Sequence, residues 1–260
     1  MALYADAGYD FICLTDHWVA SHESGKAHPL LVLDGVELHG DDALGSFYHV
    51  VCLGSFDGLS ETMGLGEGLE SARAQGAFLV LAHPSWIGNT VEEALRHPFH
   101  AVEVYNHVCT WLNGKGSGLY HWDAMLERRP DVLGLAVDDA HLSAAHPGWN
   151  GGWVMVAASD RTPAAVMQAL RAGRYYSSCG PQIFHIESSG GFIRCRTSPV
   201  CFARLAGPRF RGSRQGSFDG GTMTDIELEI PKDCAYLRLE LEDERGRRAW
   251  TNTLFTSLSP

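Results

Sequence analysis

The segment FLVLAHPSW, residues 78–86, joins a short apolar run directly to a histidine, and the same arrangement recurs along the chain. Comparable apolar runs occupy residues 11–15, 30–38, 49–54, 101–105, 132–137 and 153–158. Continuous runs of this kind are typical of strands that are covered on both faces. Stretches of helix-forming composition lie between several of them, at residues 67–75, 90–97 and 162–172. This β-α-β-α order predicts a parallel sheet, open or closed into a barrel.

The character of the sequence changes near Gly180. Within residues 235–242, Leu237, Leu239 and Leu241 alternate with charged residues, as in an antiparallel strand with one face in solvent. Two earlier stretches, 192–196 and 226–230, have a similar pattern. We therefore predict two domains, an α/β barrel over residues 1–180 and a small β-rich appendage over residues 181–260.

Composition restricts the classes of partner. The net charge of −11 and the pI of about 5.6 argue against binding to nucleic acid or an anionic membrane, both of which reward clustered Lys and Arg. We expect a small-molecule substrate, and the oligomeric state stays open. The absence of a long apolar run and of a basic leader predicts a cytoplasmic protein. Seven cysteines without a CxxC pair indicate reduced thiols.

Side chains that bind metals follow the predicted strands repeatedly, at or near the carboxyl end of each apolar run. They are Asp16, His17, Glu37, His39, His83, Glu103, Asn106, Asp138, Asp139 and His141. In a parallel α/β barrel these strand ends converge on one mouth, so residues distant in sequence become neighbours. Carboxylates and imidazoles without a nearby cysteine favour Zn, Mn or Fe in a hydrolytic site.

A more ordinary interpretation applies to each of these residues taken singly, since one histidine on an apolar strand is more often a hydrogen-bonded core residue than a ligand. The group is harder to explain by packing alone, and 12 of the 13 histidines precede residue 150. We therefore predict a metal site in the first domain. Glu37 is the candidate for a carboxylate that bridges two cations.

Six motifs in order, LTDH, GVELHG, FYHVVCLG, LAHPSW, AVEVYN and VDDAH, resemble the PHP (polymerase and histidinol phosphatase) superfamily and cover about residues 9–142. The segments GRYYSSCGPQI (173–183) and YLRLELEDERGRRAWTN (236–252) resemble its carbaryl-hydrolase-like branch. The resemblance implies a distorted (β/α)7 barrel with up to three divalent ions, usually Zn, Mn or Fe. It implies six ligands, namely His17, Glu37, His49, His83, Asp139 and His141, and does not include His39. Asn106 is our candidate for contacting the substrate.

The family carries an HxH motif on a first strand, which has no counterpart in this sequence. We therefore expect a barrel truncated at its first strand and fewer than three ions. The leading hypothesis is hydrolysis by metal-bound hydroxide. The alternative is an inactive or metal-poor protein of the same shape that only binds its ligand.

The substrate class remains open between two kinds of bond. The superfamily favours a phosphoester, whereas the carbaryl-hydrolase-like tail favours an amide, ester or carbamate. The first 150 residues hold few basic residues that could bind phosphate, chiefly Lys26, Arg73 and Lys115. This scarcity mildly favours the carbonyl substrate.

Overall fold

The structure is a computed structural model that describes residues 1–254. Its first six strands are β1 (Phe11–Leu14), β2 (Leu31–Asp41), β3 (Phe47–Leu53), β4 (Phe78–Leu81), β5 (Ala101–Asn106) and β6 (Leu133–Val137). The later strands are β7 (Trp153–Val156), β8 (Tyr175–Ser178), β9 (Ile183–Ser189), β10 (Phe192–Val200), β11 (Phe202–Ala206), β12 (Gly212–Gly216), β13 (Met223–Glu229), β14 (Arg238–Glu242) and β15 (Arg248–Thr251).

The helices are short. They are α1 (Ala2–Asp6), α2 (Gly64–Ala74), α3 (Pro84–Ile87), α4 (Val91–Arg96), α5 (His107–Asn113), α6 (Leu119–Leu126) and α7 (Pro163–Arg171), with one 3-10 turn at Glu61–Met63. Helix α7 begins as its sequence predicts, because the Thr162 side chain accepts a hydrogen bond from the Ala165 backbone N–H and Pro163 takes the first helical position. None of the helices in residues 1–254 has the length and apolarity needed to cross a membrane.

Three sheets organise the described chain. The first has the order β1-β2-β3-β4-β5-β6, the second β12-β11-β14-β15-β8-β7, and the third β13-β10-β9. The second and third sheets are antiparallel throughout. The second sheet contains strands from both sides of the predicted boundary at residue 180, so the two predicted domains share a sheet.

The prediction of a distorted (β/α)7 barrel is wrong. The first sheet is mixed and curls into a half-barrel: β3 runs antiparallel to both of its neighbours, β2 and β4, whereas the β1-β2, β4-β5 and β5-β6 pairs are parallel. The cause is the short connection between β2 and β3, where Asp42 N–H donates to the Ser46 carbonyl and Gly45 has a positive φ of 78°. A parallel pair needs a crossover of a dozen or more residues, which this turn does not provide.

The prediction of a half-solvated strand at β14 is also only partly right. Its leucines are buried as expected, but Arg238 and Glu240 on the other face are buried too. Arg238 donates to Asp123 of α6 over 2.9 Å, and its guanidinium lies over the Trp122 ring. Helix α6 therefore covers this face of the strand, and Tyr236 and Trp250 extend the core of the first sheet.

Candidate metal centre

Three neighbouring strands of the first sheet bring together one group of ligand atoms. His17 follows β1 and forms a parallel bridge with Glu37 of β2, while His49 lies on β3. Ligand atoms of these three residues all lie within 4.8 Å of one another. Nδ1 of His49 is 2.5 Å from Oε1 of Glu37. We call His17, Glu37 and His49 the first group.

A second group forms beside the first. His83 follows β4, Asp139 follows β6, and Cys109 lies in the first turn of α5; their ligand atoms are also within 4.8 Å of one another. His83 and Cys109 are buried and Asp139 is half-buried. We call these three residues the second group. Together, the two groups show that this face of the sheet holds residues able to bind metal.

Glu37 lies between the two groups. Its Oε1 is 3.5 Å from Nε2 of His83, and the imidazoles of His49 and His83 have centroids 5.0 Å apart. Nε2 of His83 also lies 3.9 Å from Oδ2 of Asp139. A single carboxylate thus faces ligands of both groups, as expected of a residue that bridges two ions.

Hydrogen bonds with Glu103 and Asn106, which lie outside the second group, fix the positions of its residues. Oε2 of Glu103 accepts from the His83 backbone N–H over 2.8 Å and from the Asn106 amide over 3.0 Å. The same amide donates to Asp139 over 3.1 Å, and Oδ1 of Asn106 accepts from the Cys109 N–H. Asn106 is fully buried and engaged at both ends of its side chain. Its role in contacting substrate stays a prediction.

The backbone is strained at two of the ligand positions. His83 has φ of 26° and Asp139 has φ of 56°, in the region that side chains other than glycine rarely adopt. Such positions cost on the order of 1–3 kcal/mol each and cluster at functional sites. The strain at these two residues is consistent with selection for ligand geometry rather than for stability.

Three carboxylates without basic partners lie in or beside the two groups. Glu37, Glu103 and Asp139 form no ion pair with Lys or Arg anywhere in residues 1–254. Burial raises the pKa of the Glu103 carboxyl, and burial together with the charge of Glu37 raises that of Asp139. Concentrated buried negative charge of this kind requires protons or cations for compensation.

Glu37 and His83 shift each other's pKa values toward their charged forms. Burial opposes ionisation of Glu37, but hydrogen bonds from His49 and His83 outweigh it and hold the pKa of this carboxyl well below its usual range. Burial likewise disfavours the charged form of His83, yet Glu37, Glu103 and Asp139 raise its pKa to about 9. Nδ1 of His83 is buried without a hydrogen-bond partner in the described chain. The donor set therefore fits a divalent cation, which would replace protons as the compensating charge.

The loop that carries Asp139 is anchored by the preceding residue. The Asp138 carboxylate accepts backbone hydrogen bonds from Asn150, Gly151 and Gly152 over 2.6–2.8 Å. The Tyr4 hydroxyl of α1 donates to the same carboxylate over 2.8 Å. Asp138 thus ties both ends of the loop after β6 together, and so holds Asp139 against the second group.

The structure places the six predicted ligands unequally. Five of them fall into the two groups, namely His17, Glu37, His49, His83 and Asp139. His141 stands apart: its side chain is about half exposed, and its Nδ1 lies 3.0 Å from the Asp139 carbonyl oxygen. Its ring centroid is 6.4 Å from that of His17, at the open side of the site.

Sequence reasoning missed Cys109 and wrongly described the site as lacking a nearby thiol. The available signal was Asn106, a good N-cap at the end of β5, which places Cys109 in the first helical turn above the strand end. Burial and the charge of Asp139 raise the pKa of the Cys109 thiol, so it is protonated in the absence of a cation. A bound ion would deprotonate it.

A scan against protein-family models found no match, and a search of curated proteins also found none. The resemblance to the PHP superfamily therefore stays a prediction that rests on the six motifs.

Proposed function

We propose that this protein is a metal-dependent hydrolase of the type that the PHP motifs imply, with two divalent ions held by the first and second groups. The observation that carries the proposal is the position of Glu37, whose carboxylate faces His49 of one group and His83 of the other. Ions held there would polarise a substrate oxygen and activate water for attack at neutral pH.

The residues divide this work by their chemistry. The imidazoles of His17, His49 and His83 supply neutral nitrogen ligands, while Glu37 and Asp139 offset the positive charge. Glu103 and Asn106 orient His83 and Asp139 from behind, as outer partners commonly do at metal sites. His141 lies at the open side, where it can complete a ligand set or exchange a proton with substrate.

Cys109 narrows the choice of metal. A thiolate in the second group favours Zn or Fe over Mn, because softer cations bind sulfur more strongly. The shared Glu37 carboxylate and the imidazoles suit Zn equally well. We therefore propose zinc or iron as the resident ion, with zinc the better fit to the full donor set.

The surroundings favour a carbonyl substrate over a phosphoester. No Lys or Arg in residues 1–254 forms an ion pair or hydrogen bond with a ligand of either group. A phosphoester hydrolase would benefit from such cations, because a phosphoryl group carries more negative charge than an amide, ester or carbamate. The indole of Trp86 packs near His49 and His83 and offers an apolar wall for the substrate.

Chromogenic substrates test this proposal. Protein loaded with zinc, iron or manganese is assayed on nitrophenyl acetate, a naphthyl carbamate and nitrophenyl phosphate, with chelated protein as the reference. We expect metal-dependent hydrolysis of the carbonyl substrates and loss of it in Glu37→Gln. The control Glu70→Gln, an exposed position of α2, should retain activity. Stoichiometric metal without turnover on any substrate would overturn the hydrolase and favour a metal-binding protein.

A further inference from the structure

We infer that His39 is a fourth ligand of the first group, so that one ion is held by three imidazoles and the Glu37 carboxylate. This inference rests on the proposed metal-dependent function. It concerns a residue that lies outside the six motif-derived ligands.

The sheet register places His39 on the face that carries the first group. Glu37 and His39 are two residues apart on β2, so their side chains leave the same face. His39 pairs directly across the strands with His49 of β3, and their ring centroids are 5.3 Å apart. His17 lies on the other side, bridged to Glu37. The four side chains thus share one face of three neighbouring strands. His39 lies outside the set of ligand atoms that are all within 4.8 Å of one another, so its ring has to turn to join the other three on one ion.

The contact between His39 and His17 has the spacing of two ligands on one ion. Nδ1 of His39 is 3.1 Å from Nδ1 of His17. With metal–nitrogen bonds of about 2.0–2.1 Å, nitrogens at this separation subtend an angle of about 100° at a shared ion, which is close to tetrahedral. The alternative is a simple N–H···N hydrogen bond between the two rings, which would leave zinc affinity unchanged when His39 is substituted.

The outer side of the His39 ring faces a carboxylate. Its Nε2 faces the Glu61 carboxylate, with Oε1 at 3.6 Å. A small rotation of Glu61 would bring this carboxylate within hydrogen-bond distance of Nε2, the outer contact that orients ligating imidazoles, while Nδ1 is the nitrogen that faces His17. The backbone is held as well, because the Trp18 indole N–H donates to the His39 carbonyl over 3.1 Å.

This arrangement changes the character of the first group. His17, Glu37 and His49 alone give three donors, whereas His39 raises the set to three nitrogens and one oxygen. Four such donors satisfy the tetrahedral preference of zinc. The first ion is then held mainly by the protein. The second group, which is the more buried of the two, keeps its own three donors, with His141 beside Asp139.

Zinc titration in competition with a chromogenic chelator tests the inference. We expect the wild-type protein to bind two zinc ions, His39→Gln to bind one of them at least about tenfold more weakly, and His49→Gln to lose that same ion. His185→Gln, on exposed β9, is the control and should behave as wild type. X-ray absorption of the zinc-loaded proteins should show fewer imidazole ligands per zinc in His39→Gln than in wild type.

The outcomes distinguish failure of the His39 ligand role from failure of the proposed metal-dependent function. If His49→Gln loses an ion while His39→Gln binds both with wild-type affinity and imidazole count, His39 is not a ligand and the two rings share only a hydrogen bond. If the wild-type protein binds no zinc, the proposed function itself fails. Glu61 is well exposed, so Glu61→Gln serves as a second variant that preserves the fold. It should weaken the same ion several-fold, and unchanged affinity would count against the inference.

Discussion

Nε2 of His83 lies 3.5 Å from Oε1 of Glu37, although His83 follows β4, Glu37 belongs to β2, and strand β3 lies between these two strands. The intervening strand contributes His49, whose Nδ1 contacts the same carboxylate oxygen. The antiparallel β2-β3-β4 arrangement therefore brings two sets of ligands to one carboxylate, which is the geometry on which the proposed function depends.

Removal of metal should destabilise the protein. The buried carboxylates Glu37, Glu103 and Asp139 would lose their compensating cations, and a ligand present at 100 times its Kd stabilises the folded state by about 2.7 kcal/mol. At about 2–4 °C for each kcal/mol, we expect chelation to lower Tm by roughly 5–10 °C. Differential scanning calorimetry with and without zinc measures the change. If the protein melts at the same temperature with saturating zinc as it does after chelation, metal binding to the folded state is refuted.

Substitution of Cys109 should remove a spectroscopic signature. Cobalt in the second group should show a sulfur-to-cobalt charge-transfer band in the near-ultraviolet, because the ion would bind the Cys109 thiolate. Cys109→Ser should lose the band. Cys52→Ser, at a buried position of β3 outside both groups, should keep it. A band of equal strength in Cys109→Ser would rule out this cysteine as a ligand.

Asp138→Asn should loosen the loop that carries Asp139. The amide would present N–H groups to some of the four donors that now point at the carboxylate, at a cost on the order of 3 kcal/mol. Urea denaturation measures this loss, and metal affinity should fall about tenfold or more. Tyr4→Phe removes only one of the four donors and should cost about 1 kcal/mol. A loss in Asp138→Asn no larger than in Tyr4→Phe would contradict the anchoring role.

Two glycines of α2 offer a matched pair. A Cβ on Gly68 would lie 2.8 Å from the Trp18 ring, whereas a Cβ on Gly66 would meet no atom within 4 Å. Gly68→Ala should therefore cost about 1–3 kcal/mol and displace Trp18, which follows His17 and holds the His39 carbonyl. Gly66→Ala should stabilise the helix by about 0.4–1 kcal/mol. Urea unfolding compares them, and equal stabilities would contradict the packing of Trp18 on α2.

Much of the local structure was predictable, because it depends on neighbours in sequence. The Thr162 cap and Pro163 predicted the start of α7, and the apolar runs predicted the strands. The parallel pairing of β1-β2, β4-β5 and β5-β6 agrees with the prediction, but the reversed direction of β3 was not predicted, because continuous apolar runs occur in any strand buried on both faces. The short turn from Asp42 to Ser46 held the information that decides it.

The site was predictable in part. Strand-end position identified Glu37, His83 and Asp139, and the motifs added His49, whereas Cys109 required knowledge of how α5 sits above β5. His39 was visible at the end of its strand, but its proposed role rests on the register with His49 and the approach to His17, which the sequence does not show. Burial of the polar face of β14 was similarly hidden, since it depends on the distant Asp123.

The metal content of Glu37→Gln shows whether this carboxylate holds two metal ions together. The amide keeps the size of the side chain but lacks the negative charge and the second ligating oxygen that two ions would share. Elemental analysis after zinc loading and gel filtration should give two ions per chain for the wild type and for Glu70→Gln, and fewer than one for Glu37→Gln. Two ions per chain in Glu37→Gln would contradict the account, because the two groups would then bind metal without the carboxylate that joins them.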